Sequence, residues 1–302
     1  MEGRLARIGL RIWVAGVLLF LFVPIAIICL YAFNSSNVQS WPIHGLSTKW
    51  FAVAWQDPAV RAALILSLKA GLFATAVALI LGSAAAFGVH RFRFFGREAV
   101  SLLLVLPISL PGIITGIALN SAFNFAGVGL SLMTIIIGHA TFCIVVVYNN
   151  MLARLRRVSG SLYEAAADLG ASGFFTFRTV TFPVVSTALV SGALLAFALS
   201  FDEVIVTTFT AGAQNTLPLW IFGAIRLGQQ LPEVNVVVTF VLLLTLIPVA
   251  IAARLTGGGG MTRASAGGAG RGGDSPGSVA GVVMGGDLEG SADVLALGGN
   301  EP

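Results

Sequence analysis

Two adjacent carboxylates, Asp202 and Glu203, stand near one end of an apolar run at 184–207. An ionised group inside a bilayer is costly, so its default reading is functional. Such carboxylates can line a path or order a gate. Equally, they can close a helix end in an ion pair, with Lys69 or Arg226 as partner. On one helix the two would diverge by about 100°, so only one of them faces a given cavity squarely. Asp202 is the stronger candidate and Glu203 the weaker. Lys69 sits near the end of another apolar run, from which a lysine stem can snorkel to the interface. His139 reads as a hydrogen-bonded packing residue rather than a proton relay. Nucleotide chemistry needs a G-x-x-x-x-G-K-[ST] loop, yet the only lysines are Lys49, between Thr48 and Trp50, and Lys69, before Ala70. No Ser/His/Asp constellation or H-E-x-x-H is apparent. The three histidines and the isolated Cys29 and Cys143 support neither a metal site nor a disulfide framework. The chain reads as non-catalytic, with no cofactor of its own.

The elements that must position these residues are membrane spans. The 302 residues are 57% hydrophobic and 10% charged, against about 25% charged in an ordinary soluble domain. A soluble enzyme, a nucleic-acid binder and a secreted disulfide scaffold are all excluded on that ground. A bilayer core of about 30 Å needs roughly 20 apolar residues per helix. Six segments qualify: 12–33, 62–89, 99–122, 132–152, 184–207 and 234–254. No small-residue cleavage site follows the first, and Ile28 precedes Cys29 where a lipoprotein site expects a small residue, so it reads as an uncleaved span. Thirteen arginines fall on one side of these spans, against Lys49, Arg61 and Arg226 on the other. That bias sets both termini in the cytoplasm. Externally, Trp41, Trp50, Phe51 and Trp55 read as an interfacial stretch, as does the segment Thr216 to Trp220. Sixteen of the 36 glycines lie in 257–302, a tail of net charge −3 beside a body of +7. The tail has too little apolar content to offset its ordering entropy and is expected to be disordered. The expected organisation is a cytoplasmic N-terminus (1–11), a six-helix domain (12–256) and the glycine-rich cytoplasmic tail (257–302).

One cytoplasmic loop, 153–183, is long. Ser161 and Glu164 fit a capping box, Ala165, Ala166 and Ala167 favour helix, and Gly170 can take the left-handed conformation that ends it. Ser172 can cap a second short helix through Phe174, Phe175 and Phe177, phenylalanines expected to bury, and Pro183 punctuates entry into the fifth span. A helix–turn–helix at the cytoplasmic surface follows. It is either a docking element for a cytosolic partner or an amphipathic helix resting on lipid.

Here the sequence resembles a known family. Glu164-Ala165-Ala166, Gly170, then Val180-Thr181-Phe182-Pro183 reproduces the spacing of the EAA motif of ABC importer permeases, with Val180 and Phe182 as conservative departures. The likeness runs over roughly residues 10–256. Pro107 to Gly112, Gly138 to Phe142, Leu199 to Glu203, Thr216 to Pro218 and Pro232 to Asn235 resemble the permeases of spermidine/putrescine importers, closest to their smaller, second permease. Related permeases for iron, sulfate, phosphonates and thiamine share much of this scaffold.

The resemblance implies an all-α, polytopic type I importer permease in a bacterial inner membrane. Glu164, Ala165, Ala166, Gly170, Val180, Phe182 and Pro183 would couple it to the ATPase, and Asp202 and Glu203 would serve the path of a polyamine. The implied partners are two copies of an ATP-binding subunit that holds ATP-Mg, a second and non-identical permease, an extracytoplasmic binding protein and the lipid bilayer; nucleic acid is not among them. The rival class is an ion-driven secondary transporter, which expects internal repeats and interrupted helices. No repeat relates the two halves, although Pro107 and Pro111 resemble an interruption. A non-transporting scaffold leaves the matched loop spacing unexplained.

Overall fold

The computed structural model describes residues 3–92 and 94–257; the glycine-rich tail beyond Gly257 and Arg93 lie outside the described residues. No β-strand occurs among them, only an isolated bridge between Asn34 and Leu46. Helices suit such a chain because every backbone group is paired within its own segment. In order they are α1 (Arg4–Tyr31), α2 (Lys49–Gln56), α3 (Pro58–Arg91), α4 (Arg97–Ser109), α5 (Gly112–Phe125), α6 (Leu132–Leu155), α7 (Gly160–Asp168) and α8 (Gly173–Thr176). A π turn at Phe177–Thr181 leads into α9 (Phe182–Phe201), followed by α10 (Ile205–Thr210), α11 (Leu217–Leu227) and α12 (Leu231–Gly257). Two compact units divide at Leu246; the second continues α12 from Ile247.

Four helices are long and apolar enough to cross a bilayer: Ala6–Tyr31, Pro58–Arg91, Leu132–Leu155 and the continuous Gly173–Phe201. The bent pair α4–α5 passes the same test jointly, as a broken span or a re-entrant loop, and the sixth expected span falls in α12. Two expectations are corrected. The segment 99–122 is not one straight helix, because α4 and α5 meet at 104°. Pro111 starts α5 and forces the preceding Leu110 into extended backbone (φ −82°, ψ 142°). The segment 184–207 also breaks: α9 ends at Phe201 and α10 begins at Ile205. Asp202 and Glu203 therefore occupy a turn and are not neighbours on a helix.

The centre of the molecule is α3, α6 and α9. Along α3 the buried positions are mostly small, including Ala63, Ala70, Ala74, Ala78, Gly82 and Ala86. Recurring at about one turn, they let helix backbones approach closely where apolar burial gives no drive for association. Gly82 is the tightest point: a Cβ there would lie 2.8 Å from the Ile144 carbonyl oxygen of α6. Cys143, Val147, Tyr148, Met151 and Val185 fill the layer below. By contrast no side chain in the apolar core of α1 is buried. The chain after α1 is tied back by Ser47 N–H to the Phe33 carbonyl (2.7 Å) and Trp50 Nε1–H to the Asn34 carbonyl (2.9 Å). Trp50 and Trp55 lie on the short helix α2, and Trp41 precedes it. Asp57 caps α3, accepting from Ala59 N–H at 2.7 Å, with Pro58 in the first turn where its missing donor costs nothing. The two cysteines are free.

Candidate functional site

The long loop folds as the helix–turn–helix its sequence predicts, with one correction. Ser159, not Ser161, caps α7, its Oγ accepting from Ser161 N–H at 3.3 Å. The Ser161–Glu164 capping box does not form because the helix starts at Gly160, which puts Ser161 already inside the first turn. Gly170 ends α7 at φ +70°. The Gly170 and Ala171 N–H groups return to the Ala167 and Ala166 carbonyls, closing the helix end. Ser172 caps α8 as expected, accepting from Phe175 N–H at 3.3 Å.

Within this chain the far side of the loop is bare. Phe174 is 74% exposed and Leu169 87%. The expectation that the loop phenylalanines bury is thus corrected for all three: Phe174 and Phe175 stand out from the fold, and Phe177 is exposed although its ring meets Phe87. Of the motif residues, Glu164 and Ala165 are exposed on α7, Ala166 is half-buried, Val180 is half-buried in the π turn, and Phe182 and Pro183 are exposed at the start of α9. A cavity of about 680 Å³ separates α7 from the C-terminal end of α3, lined by Phe87, His90, Arg91, Tyr163, Glu164 and Thr181 among others. The loop is pinned across it by the Phe87–Phe177 edge contact (5.8 Å) and by Thr181 Oγ1 donating to the Tyr163 hydroxyl (3.4 Å).

From α8 the helix runs unbroken through the π turn into α9, 29 residues from Gly173 to Phe201. At 1.5 Å per residue it is a rod of about 43 Å. Its C-terminal end stops at the Asp202–Val204 turn. Sequence reasoning missed what holds that turn. His139 on α6 is buried, its Nδ1 2.7 Å from Ser200 Oγ on α9 and its Nε2 2.8 Å from Thr207 Oγ1 on α10. The Thr207 hydroxyl donates to the Glu203 carbonyl at 2.7 Å. Its oxygen therefore accepts from Nε2–H, and Nδ1 pairs with the Ser200 hydroxyl. One ring thus clamps both sides of the break. From the sequence His139 reads as a hydrogen-bonded packing residue; its two partners are set by the fold.

The two carboxylates separate in function. Glu203 is half-buried and its Oε1 accepts from Val206 N–H at 2.9 Å, capping α10. Asp202 is exposed and lines a cleft of about 380 Å³ with Phe201, Pro218, Ile221, Phe222 and Val241. It is the only charged group in that lining. A second acidic pair lies at the N-terminal ends of α3 and α12. Glu233 faces Asp57 and has a buried Oε2 without a hydrogen-bond partner, while Gln230 Nε2 donates to Asp57 at 3.3 Å. Its members are 176 positions apart, so only folding brings them together.

The sequence model of the binding-protein-dependent transport system inner membrane component matches residues 78–257, more than half of the chain. The chain belongs to this family. Among relatives of this permease, the spermidine/putrescine transport system permease protein PotC of Escherichia coli strain K12 is 34% identical over 251 residues, covering 82% of this chain and 93% of PotC. The putrescine transport system permease protein PotI of the same strain is 36% identical over 232 residues, 74% of this chain and 82% of PotI. A putative 2-aminoethylphosphonate transport system permease protein, PhnV of Salmonella paratyphi A, is 28% identical over 247 residues. In fold, the permease matches a chain of a bacterial ABC transporter involved in import of the polysaccharide alginate, with a TM-score of 0.61 at 18% identity, over 86% of this chain and 99% of that one. The protein is a transport component of the inner membrane, built on the all-α ABC importer permease fold.

Proposed function

We propose that this permease carries polyamines, putrescine or spermidine, inward through a path that it forms with a second, non-identical permease. Both termini face the cytoplasm. Two copies of an ATP-binding subunit, which hold ATP-Mg, receive α7 and the exposed Leu169, Phe174 and Phe175. An external binding protein delivers the solute to the opposite side. Closure of the ATPases displaces the loop, and Glu164, Ala165, Ala166, Gly170, Val180, Phe182 and Pro183 form the joint through which that displacement enters the rod. The rod moves the Asp202 turn, and the two permease halves rock between outward and inward openings.

The observation that carries this reading is the unbroken helix from Gly173 to Phe201, which links the motif loop to the turn bearing Asp202. For a dicationic amine, a carboxylate in an apolar cleft offsets lost hydration through charge-assisted hydrogen bonds. An anionic cargo such as a phosphonate would meet repulsion there. The sequence likeness to PotC and PotI supports the same choice. Glu203 serves the turn rather than the solute, since its carboxylate already caps α10.

The test is uptake of labelled putrescine into proteoliposomes holding the full transporter. Asp202→Asn is expected to lower uptake by roughly tenfold or more, the worth of one charge-assisted hydrogen bond, with assembly unchanged. Wild-type uptake in that variant removes Asp202 from the path. Uptake that survives an ATPase-dead partner, or that this chain supports alone, would favour the ion-driven alternative.

A further inference from the structure

A second cleft opens between α6 and α9 near their inner ends. It holds about 320 Å³ and is lined by Asn150, Arg154, Arg157, Thr187 and Ser191, with alanines between them. No carboxylate is in that lining. Arg154 is held in place, since its Nε donates to the Val184 carbonyl of α9 at 2.9 Å. With Nε engaged, its terminal nitrogens remain for a forked contact. Arg157, three positions on, is exposed beside it. Two full positive charges outweigh the roughly −0.5 charge of the α6 C-terminus. The cleft therefore repels a polyamine and attracts an anion, and the guanidinium fork matches phosphate geometry.

The surroundings narrow the anion. Immediately membrane-ward of the cleft on α9 stand Val190, 61% exposed, and Leu194, 47% exposed. A ligand with a phosphate in the cleft would lay apolar chains along these two side chains. Basic pockets between spans on the cytoplasmic side are suited to anionic lipid headgroups. We infer that the Arg154–Arg157 cleft binds the phosphate headgroup of an anionic phospholipid from the inner leaflet. The inference rests on the orientation given under Proposed function, but not on the identity of the cargo. Lipid bound there braces the inner ends of α6 and α9, so the site bears on the same rod that carries the coupling motion.

The test uses the full transporter in vesicles of phosphatidylglycerol mixed with phosphatidylcholine, or of phosphatidylcholine alone. Retained lipid is read by native mass spectrometry. Phosphatidylglycerol should be retained by the wild type, should fall by about tenfold in Arg157→Gln, the loss of one charge-assisted contact, and should return in Arg157→Lys. Equal retention by wild type and Arg157→Gln overturns the inference. So does displacement by inorganic phosphate with no preference for phosphatidylglycerol, which assigns the cleft to a free anion. So does dissociation of a partner subunit from Arg157→Gln with lipid retention unchanged, which assigns it to a protein contact. Labelling of Arg157→Cys by an impermeant maleimide, in right-side-out against inverted vesicles, checks the orientation separately. Putrescine uptake checks the cargo, so failure of either reading is told apart from failure of this one.

Discussion

At the scale of single residues, two adjacent carboxylates are told apart by what each one touches. Glu203 has a backbone N–H to cap and Asp202 has an open apolar cleft, a division that two adjacent acids in a sequence cannot reveal. His139 is the residue on which that division depends. Removing its ring in His139→Ala leaves Ser200 and Thr207 facing a void and frees the turn from α6. A buried side-chain hydrogen bond between spans contributes about 0.6 kcal/mol on average, and the emptied volume adds to two such losses. The expected loss is about 2 kcal/mol, read as a lower thermal midpoint in detergent, accompanied by lower uptake. A glutamine amide can both donate and accept, so His139→Gln should keep part of both contacts. A proton-relay role predicts instead that His139→Gln loses transport as fully as His139→Ala.

Among the elements, α7 and the helix from α8 to α9 are a paired device, one exposed and the other packed. The position of α7 depends on its caps. Ser159→Ala removes the side-chain acceptor at the true N-cap and should cost about 1 kcal/mol of local helix stability. Ser161→Ala, at the position that the capping-box pattern marks, should cost less. Hydrogen exchange over 160–168 compares the two variants, and faster exchange in Ser161→Ala than in Ser159→Ala would contradict the observed cap. The start of α7 was legible to within two residues, and Gly170 was legible because a left-handed helix end is a local backbone requirement. The break after Phe201 was not. Nothing between 199 and 207 is a proline or glycine, and apolar residues resume directly after Asp202 and Glu203. What bridges the break lies on α6, in a histidine 61 positions from Ser200 and 68 from Thr207. The bend at Leu110 stood between these cases, since Pro107 and Pro111 marked an interruption without giving its 104° angle.

For the whole molecule, the charge pattern and the spans describe a body that ends near Thr256, and the glycine-rich segment after it belongs to no part of the transport machinery proposed above. Truncation after Thr256 is therefore expected to leave putrescine uptake at the wild-type level, measured at matched abundance in the membrane. A fall in uptake per molecule would give that segment a role in transport. The sequence by itself determined that the protein is helical and membrane-bound, which stretches of it are apolar, and which loop carries the EAA pattern. Apolar runs, charge bias and helix caps are properties of neighbouring residues, so they are written along the chain. Only the tertiary structure decided that the rod from Gly173 stops at Asp202, that His139 holds that stop, and that two arginines share a cleft with Thr187 and Ser191. Those arrangements come from helices that meet through small residues such as Gly82, far apart in sequence, and contacts of that kind leave no periodic trace.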